Sequence, residues 1–88
     1  MLTPRVLDTV MLQEEGGESF ALDLESGEVF SLNPTAAQIL RMCQLGRSLP
    51  DITAQLLSET LEPADPELVK EDVEETVQTF ISLGLCTY

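Results

Sequence analysis

One stretch of the sequence, residues 20–40, constrains the fold more than any other, and it reads FALDLESGEVFSLNPTAAQIL. Apolar and less apolar side chains alternate over residues 20–24, which is the period of a half-buried strand. Gly27 then permits a tight turn, and a second short strand follows. Asn33 can cap a helix with its side-chain oxygen, and Pro34 suits the first helical position. The stretch therefore predicts a hairpin that leads directly into a helix.

The same reasoning places the other elements along the chain. Residues 2–8 form an ambiguous lead-in, because Pro4 disfavours a central strand there. Residues 61–65 are a connector punctuated by Pro63 and followed by Pro66. The predicted elements are strands at residues 9–14, 19–24 and 28–32 and helices at residues 34–44, 50–59 and 66–83.

A three-stranded sheet is too small to be stable with both faces in water, so one face needs a helical layer. We expect the strands to direct to that layer the side chains of Phe20, Leu22, Leu24, Phe30 and Leu32. The third helix offers an apolar stripe of helical period, and Gly84 fits the position just after its end. Its stripe consists of Val69, Val73, Val77, Phe80 and Ile81. The predicted fold class is α+β and winged-helix-like, a three-stranded antiparallel meander followed by three helices.

Length and charge narrow the possible partners. We expect residues 1–88 to form a single domain, with no apolar run of the roughly 20 residues that a membrane span requires. The formal net charge is −12, from 16 acidic and 4 basic side chains. Nucleic acid and anionic membrane surfaces are disfavoured, because their binding needs clustered Lys and Arg. We expect a cytoplasmic protein that binds neither.

The sequence lacks the residue types that most chemistry requires. It contains no histidine, which removes the commonest general base and metal ligand. Cys43 and Cys86 are far apart in sequence, and they are expected to be buried thiols, although the sequence does not exclude a disulfide. We therefore expect no enzymatic activity, no cofactor and no metal.

A binding module remains, and the meander suggests how it binds. An edge strand carries unpaired N–H and C=O groups, which can accept an added strand from a partner unless loops or charges shield them. The alternative is a winged-helix scaffold or dimerisation module in a regulatory complex. A DNA-binding winged helix is opposed by the acidic third helix, which carries Lys70 as its one basic residue.

Several segments together resemble the PqqD-like family. They are the run LDLESGEVFSLNPTAAQIL at residues 22–40, the spacing G-x-S-L-x-x-I at residues 46–52, Glu71-Asp72-Val73, and the ending Phe80-Ile81-x-Leu83-Gly84-Leu85. The resemblance extends from about Val6 to Leu85. The family comprises peptide chaperones and recognition elements of pathways that make ribosomally synthesised, post-translationally modified peptides.

The resemblance implies a function and a site. Family members bind the leader segment of a precursor peptide and present it to a maturation enzyme, either a leader peptidase or a radical-type modifying enzyme. The leader adds as a strand beside the third strand, in the groove with the third helix. The implied peptide-binding residues are Glu28, Val29, Phe30, Ser31, Leu32, Asp72, Val73, Glu75, Thr76, Thr79 and Phe80. The sequence leaves open which parity of the third strand faces the peptide.

The product class also stays open at this point. The hairpin D-L-E-S-G-E-V-F resembles stand-alone recognition elements of lasso-peptide pathways, which serve a leader peptidase. The segment I-L-R-M-C-Q-L-G is equally similar to the chaperone of the pyrroloquinoline quinone pathway, which serves a radical enzyme. Many lasso-type members carry glycine after N-P-T, where this chain has Ala36.

Overall fold

The computed structural model describes residues 3–60 and 64–88. The described residues form two antiparallel sheets and three helices, which confirms the predicted α+β class. The elements are β1 Arg5–Val6, β2 Val10–Glu15, β3 Glu18–Asp23, β4 Val29–Leu32, α1 Pro34–Gln44, α2 Leu49–Glu59, α3 Pro66–Ser82 and β5 Cys86–Thr87. The larger sheet has the order β2-β3-β4, and the smaller one pairs β1 with β5.

The helix boundaries follow the capping residues of the sequence. The Asn33 side chain accepts a hydrogen bond from the Ala36 N–H at 2.7 Å, and Ser48 accepts one from Asp51 at 3.3 Å. Both interactions satisfy N–H groups that a helix start leaves without a partner. The predicted caps are therefore confirmed, and each predicted helix and meander strand ends within one residue of its observed bounds.

The small sheet of β1 and β5 was not predicted. The end of α3 explains it, because the Leu85 N–H donates to the Phe80 carbonyl at 2.9 Å and Gly84 has a φ of 78°. This Schellman arrangement turns the chain back, and Cys86 then pairs with Val6. Part of the lead-in becomes a short strand beyond Pro4. Residue 2 of that lead-in and residues 61–63 of the predicted connector lie outside the described residues.

The prediction of which sheet side chains face the helices was partly wrong. Phe30 and Leu32 do pack against the core, but on β3 the fully buried residue is Ala21. Phe20 and Leu22 alternate with Ala21 and therefore project from the opposite face, while Leu24 is 57% exposed. Ala21 is therefore the β3 side chain that belongs to the core, and its larger neighbours are left on the outer face.

The hydrophobic core lies between the inner sheet face and the three helices. It includes Ile39 and Leu40 of α1, Ile52 of α2 and Leu85 after α3, each with at most 1% exposure. The predicted stripe of α3 contributes through its buried members Val73, Val77 and Phe80. The packing of this core thus fixes the position of α3 relative to the meander.

Candidate functional site

The open edge of β4 is the first component of the site. Strand β4 lies at the end of the order β2-β3-β4 and pairs only with β3 in the described part of the chain. The Asp23 N–H donates to the Glu28 carbonyl at 2.9 Å. Phe30 and Leu32 have the same parity as Glu28, so their N–H and C=O groups bond to β3. Val29 and Ser31 have the opposite parity, and their N–H and C=O groups point to the open edge.

The side chains of β4 alternate in the same way. Phe30 and Leu32 pair with Ala21 and Ser19 and are half-buried against the core. The side chain of Val29 is 58% exposed, and that of Ser31 is also exposed. Phe30 and Leu32 therefore anchor the strand to the domain, whereas Val29 and Ser31 leave their backbone donors and acceptors available to an added strand.

A groove of about 430 Å³ begins where β4 ends. One wall comes from the start of α1 and the other from the exposed flank of α3. Its lining residues are Asn33, Thr35, Ala36, Asp72, Glu75, Thr76 and Thr79. Because Asn33 directly follows Leu32, a strand lying along the open edge of β4 would continue into this groove.

The residues assigned to the site by resemblance occupy different positions. Asp72, Glu75, Thr76 and Thr79 all line the groove. Val73 and Phe80 are 0% and 2% exposed and belong to the core beneath it, so their side chains are not accessible in this structure. Glu28 lies in the turn before β4, where its N–H donates to Ser26 Oγ at 3.2 Å.

Sequence reasoning missed the α1 wall, which consists of Asn33, Thr35 and Ala36. Asn33 was identified only as a helix cap, and that role is real. The abrupt change from strand to helix at Asn33 was the available signal, because such a change places the first helical turn beside the open end of the edge strand.

The chemistry of the groove is that of a hydrogen-bond acceptor. Within residues 3–60 and 64–88, Asp72 and Glu75 form no ion pair, whereas Arg41 is paired with Glu14 elsewhere. The Thr79 hydroxyl donates its proton to the Glu75 carbonyl at 3.0 Å. The lone pairs of the Thr79 hydroxyl oxygen are therefore left to accept a hydrogen bond from a ligand. The groove can therefore accept hydrogen bonds from a peptide and attract Lys or Arg side chains.

A larger cavity, of about 590 Å³, lies between α2 and α3 and is not part of this site. Its lining includes Leu49, Leu57, Pro66 and Lys70, and no strand borders it. Among the described residues, no three His, Cys, Asp or Glu side chains gather where they could hold a metal ion. No helix in the described ranges is long and apolar enough to cross a membrane.

The two cysteines are buried and free, and they lie next to each other. Their sulfurs come from α1 and β5, so the pair connects the small sheet to the core. The hydrogen bond with Cys43, followed by burial, raises the pKa of Cys86 far above its ordinary value of 9.0. Cys86 therefore behaves as a neutral core residue.

The chain is similar to known proteins in both sequence and fold. The model of the family described as Coenzyme PQQ synthesis protein D (PqqD) matches residues 8–85, while no curated protein matches the chain. The structure of lasso peptide synthetase B1 complexed with the leader peptide is similar, with 24% identity, a TM-score of 0.85 and coverage of 99% of this chain and 100% of that chain. TbiB1 in complex with the TbiA(beta) leader peptide has 20% identity, a TM-score of 0.82 and 93% coverage of each chain. Because the family model spans most of the sequence, this chain belongs to the PqqD family.

Proposed function

We propose that this protein binds the leader segment of a ribosomally synthesised precursor peptide and presents it to a maturation enzyme. The observation that carries the proposal is the open edge of β4 at Val29 and Ser31, which runs into the groove beside α3. Two similar structures, lasso peptide synthetase B1 and TbiB1, were each determined with a leader peptide, which supports the same class of ligand for this chain.

The leader would pair its backbone with Val29 and Ser31 and direct alternate side chains to opposite faces. Side chains on the inner face would enter the groove, where Asp72 and Glu75 favour a Lys or Arg at a defined position. Backbone pairing supplies affinity for any extended peptide, and the groove supplies register and selectivity.

The expected affinity is moderate. Three leader anchors at ~1.5–3 kcal/mol each and about four net backbone hydrogen bonds at ~1 kcal/mol give roughly 9–13 kcal/mol. Association and ordering of the leader remove about 4 kcal/mol or more. The difference of about 5–9 kcal/mol corresponds to dissociation constants between roughly 200 µM and roughly 0.2 µM. Such values suit a protein that must release its cargo.

The protein itself would be non-catalytic and would act in the cytoplasm. The described groove contains carboxylates, hydroxyls and one amide, and no His, Cys or Lys side chain lines it. Both thiols are free, which fits a reducing compartment. The chemistry would belong to the partner, either a leader peptidase or a radical-type modifying enzyme.

Amide hydrogen exchange during titration with the leader tests the proposal. The peptide is the leader of the precursor encoded beside the gene, and its scrambled sequence is the control. We expect the amides of Val29 and Ser31 to exchange freely in the free protein and to become protected in the complex. The amides of Phe30 and Leu32, which face β3, are expected to be protected in both states. A leader that binds without protecting Val29 and Ser31, or one that does not bind at all, contradicts the proposal.

A further inference from the structure

A second hollow, of about 320 Å³, adjoins the groove. Thr35 and Asp72 line both, so the two hollows meet at these side chains. Asn33, the residue after β4, lines only the groove, and the second hollow therefore lies farther from the strand. We name it the distal pocket, and its lining includes Gln38 of α1, Leu56 and Glu59 of α2, and Val69 of α3.

The groove and the distal pocket follow one another along α3. The groove reaches Thr79, and the distal pocket reaches Val69. These two residues are separated by roughly 15 Å along the helix axis, at ~1.5 Å per residue. A peptide in extended conformation covers that length in about four or five residues. A leader that leaves β4 through the groove would therefore enter the distal pocket.

The floor of the distal pocket is apolar. Ile39 and Val73 belong to the core, with 1% and 0% exposure, and both line the pocket. Leu56 and Val69 are half-buried beside them and pack against the same core. An aliphatic chain that lies on this floor would be removed from water.

Two carboxylates stand at the rim of the distal pocket. Gln55 Nε2 donates to Glu59 Oε1 at 2.8 Å, and Gln38 Nε2 donates to Glu59 Oε2. These hydrogen bonds hold the pKa of Glu59 below its ordinary value, so Glu59 is ionised at neutral pH. Glu59 is also the last residue of α2, where its charge adds to the negative end of the helix dipole. The other carboxylate is Asp72, and within residues 3–60 and 64–88 neither of the two forms an ion pair.

This combination selects a cationic side chain with an aliphatic stem. An Asp or Glu would be repelled by the two carboxylates, and a purely apolar side chain would desolvate them without supplying a partner. Lys and Arg can lay their methylene groups on an apolar floor and keep the charged head at the rim. The described lining contains no Lys or Arg of the chain itself, so the cation has to come from a ligand.

We propose that the distal pocket binds a second Lys or Arg of the leader, about four or five residues beyond the leader residue that lies beside Thr79. This inference rests on the proposed function. Glu75 in the groove selects one basic residue, and Glu59 in the distal pocket selects another. Two charged positions at a set spacing fix the register of an extended peptide, which backbone pairing alone leaves free to slip.

Substitution of Glu59 tests the distal pocket without altering the groove or β4. Glu59→Lys places a cation where that of the leader would lie, and Glu59→Gln removes the charge at constant size. Glu74→Lys and Glu74→Gln are the matched controls, because Glu74 is also exposed and lines the cavity between α2 and α3 instead. Both sites are exposed, so melting temperatures should stay close to wild type.

The measurement is fluorescence anisotropy with the labelled leader of the precursor encoded beside the gene, and with leaders in which each Lys or Arg is replaced in turn by Met. We expect Glu59→Lys to weaken binding roughly tenfold and Glu59→Gln severalfold. The two Glu74 variants should stay within about twofold of wild type, as for other exposed charges. One Lys or Arg replacement, at the stated spacing, should make wild type and Glu59→Gln bind equally, because the pair is then already broken.

The possible outcomes separate this inference from the proposed function. If the leader binds wild type and both Glu59 variants alike, the distal pocket is not a subsite and leader recognition stands. The inference is also wrong if the Glu74 variants weaken binding as much, since net charge then explains the effect. It is equally wrong if a leader without Lys or Arg at that spacing binds wild type tightly, or if every leader replacement adds to the effect of Glu59→Gln. If the leader does not bind wild type, the proposed function fails and this inference fails with it.

Discussion

Proline substitution along β4 tests the strand-addition mechanism at single-residue resolution. The Ser31 N–H points to the open edge, and the Phe30 N–H belongs to the ladder with Ala21. Ser31→Pro therefore removes an N–H that bonds to no group within residues 3–60 and 64–88, and its fixed φ is compatible with an edge strand. We expect the variant to stay folded and to lose leader binding.

The magnitude follows from the groups involved. One lost backbone hydrogen bond to the leader is worth about 1–1.5 kcal/mol, which is roughly a tenfold rise in the dissociation constant. Phe30→Pro differs because it leaves the Ala21 carbonyl without its ladder donor and also removes a half-buried ring. Phe30→Ala removes only the ring, so the extra destabilisation of Phe30→Pro isolates the ladder bond, at about 1–3 kcal/mol.

Two assays read these effects separately. Urea unfolding followed by circular dichroism gives the free energy of unfolding, and fluorescence anisotropy with a labelled leader gives the affinity. Ser31→Ala is the control for the hydroxyl and should bind like wild type. If Ser31→Pro folds and binds the leader normally, β4 is not the docking edge. If Ser31→Pro unfolds while Phe30→Pro is as stable as Phe30→Ala, the assignment of the two parities is reversed.

Three further predictions concern the core, the groove and the thiol pair. Phe80→Ala should lower the free energy of unfolding by roughly 3–5 kcal/mol, since Phe80 is 2% exposed; a melting temperature within a few degrees of wild type would remove Phe80 from the core. Asp72→Lys and Glu75→Lys should each weaken binding of a basic leader severalfold, and this effect should shrink as salt rises from ~50 to ~500 mM. If both variants bind the leader as tightly as wild type at every salt concentration, the two carboxylates belong to a solvated helix face. The hydrogen bond between the two thiols lowers the pKa of Cys43 and raises the pKa of Cys86, so the contribution of the pair to stability should increase with pH up to about the ordinary pKa of 9.0 and should be lost as the pH rises above it. Urea unfolding between pH 8 and pH 10.5 should show this loss in wild type and not in the double variant Cys43→Ala and Cys86→Ala, and equal slopes would contradict it.

The helices and the order of the meander were predictable because their signals are local. Asn33 and Ser48 cap helices through their own side chains, and each contacts a residue three positions along the chain. Gly84 ends α3 for an equally local reason, because its φ of 78° suits glycine. Such interactions need no knowledge of the distant parts of the chain.

The face of the sheet was not predictable in the same way. Alternation indicates that Phe20 and Leu22 share a face, but it does not indicate which face meets the helices. The burial of Ala21 in the core decides the matter, and that burial depends on tertiary packing between residues distant in sequence. The pairing of β1 with β5 joins the two ends of the described chain and was missed for the same reason.

The groove shows the same division between local and tertiary information. Asp72, Glu75, Thr76 and Thr79 recur on one flank of α3 at helical spacing, and resemblance to the family was enough to select them. The opposite wall depends on where the first turn of α1 lies in space. That position follows from the register of β4 with β3, which the sequence does not specify.

An open strand edge is also an aggregation hazard, and the residues around β4 limit that hazard while keeping the edge available. The strand is only four residues long, the acidic Glu28 precedes it, and Pro34 lies two residues beyond its end. A second copy of β4 would bring its own Glu28 and a share of the net charge of −12, which opposes pairing between copies. A leader with Lys or Arg would meet no such repulsion. On the proposed function, the acidity that argues against nucleic acid would thus have a positive role, because it would direct an exposed edge towards a basic peptide and away from a second copy of the chain.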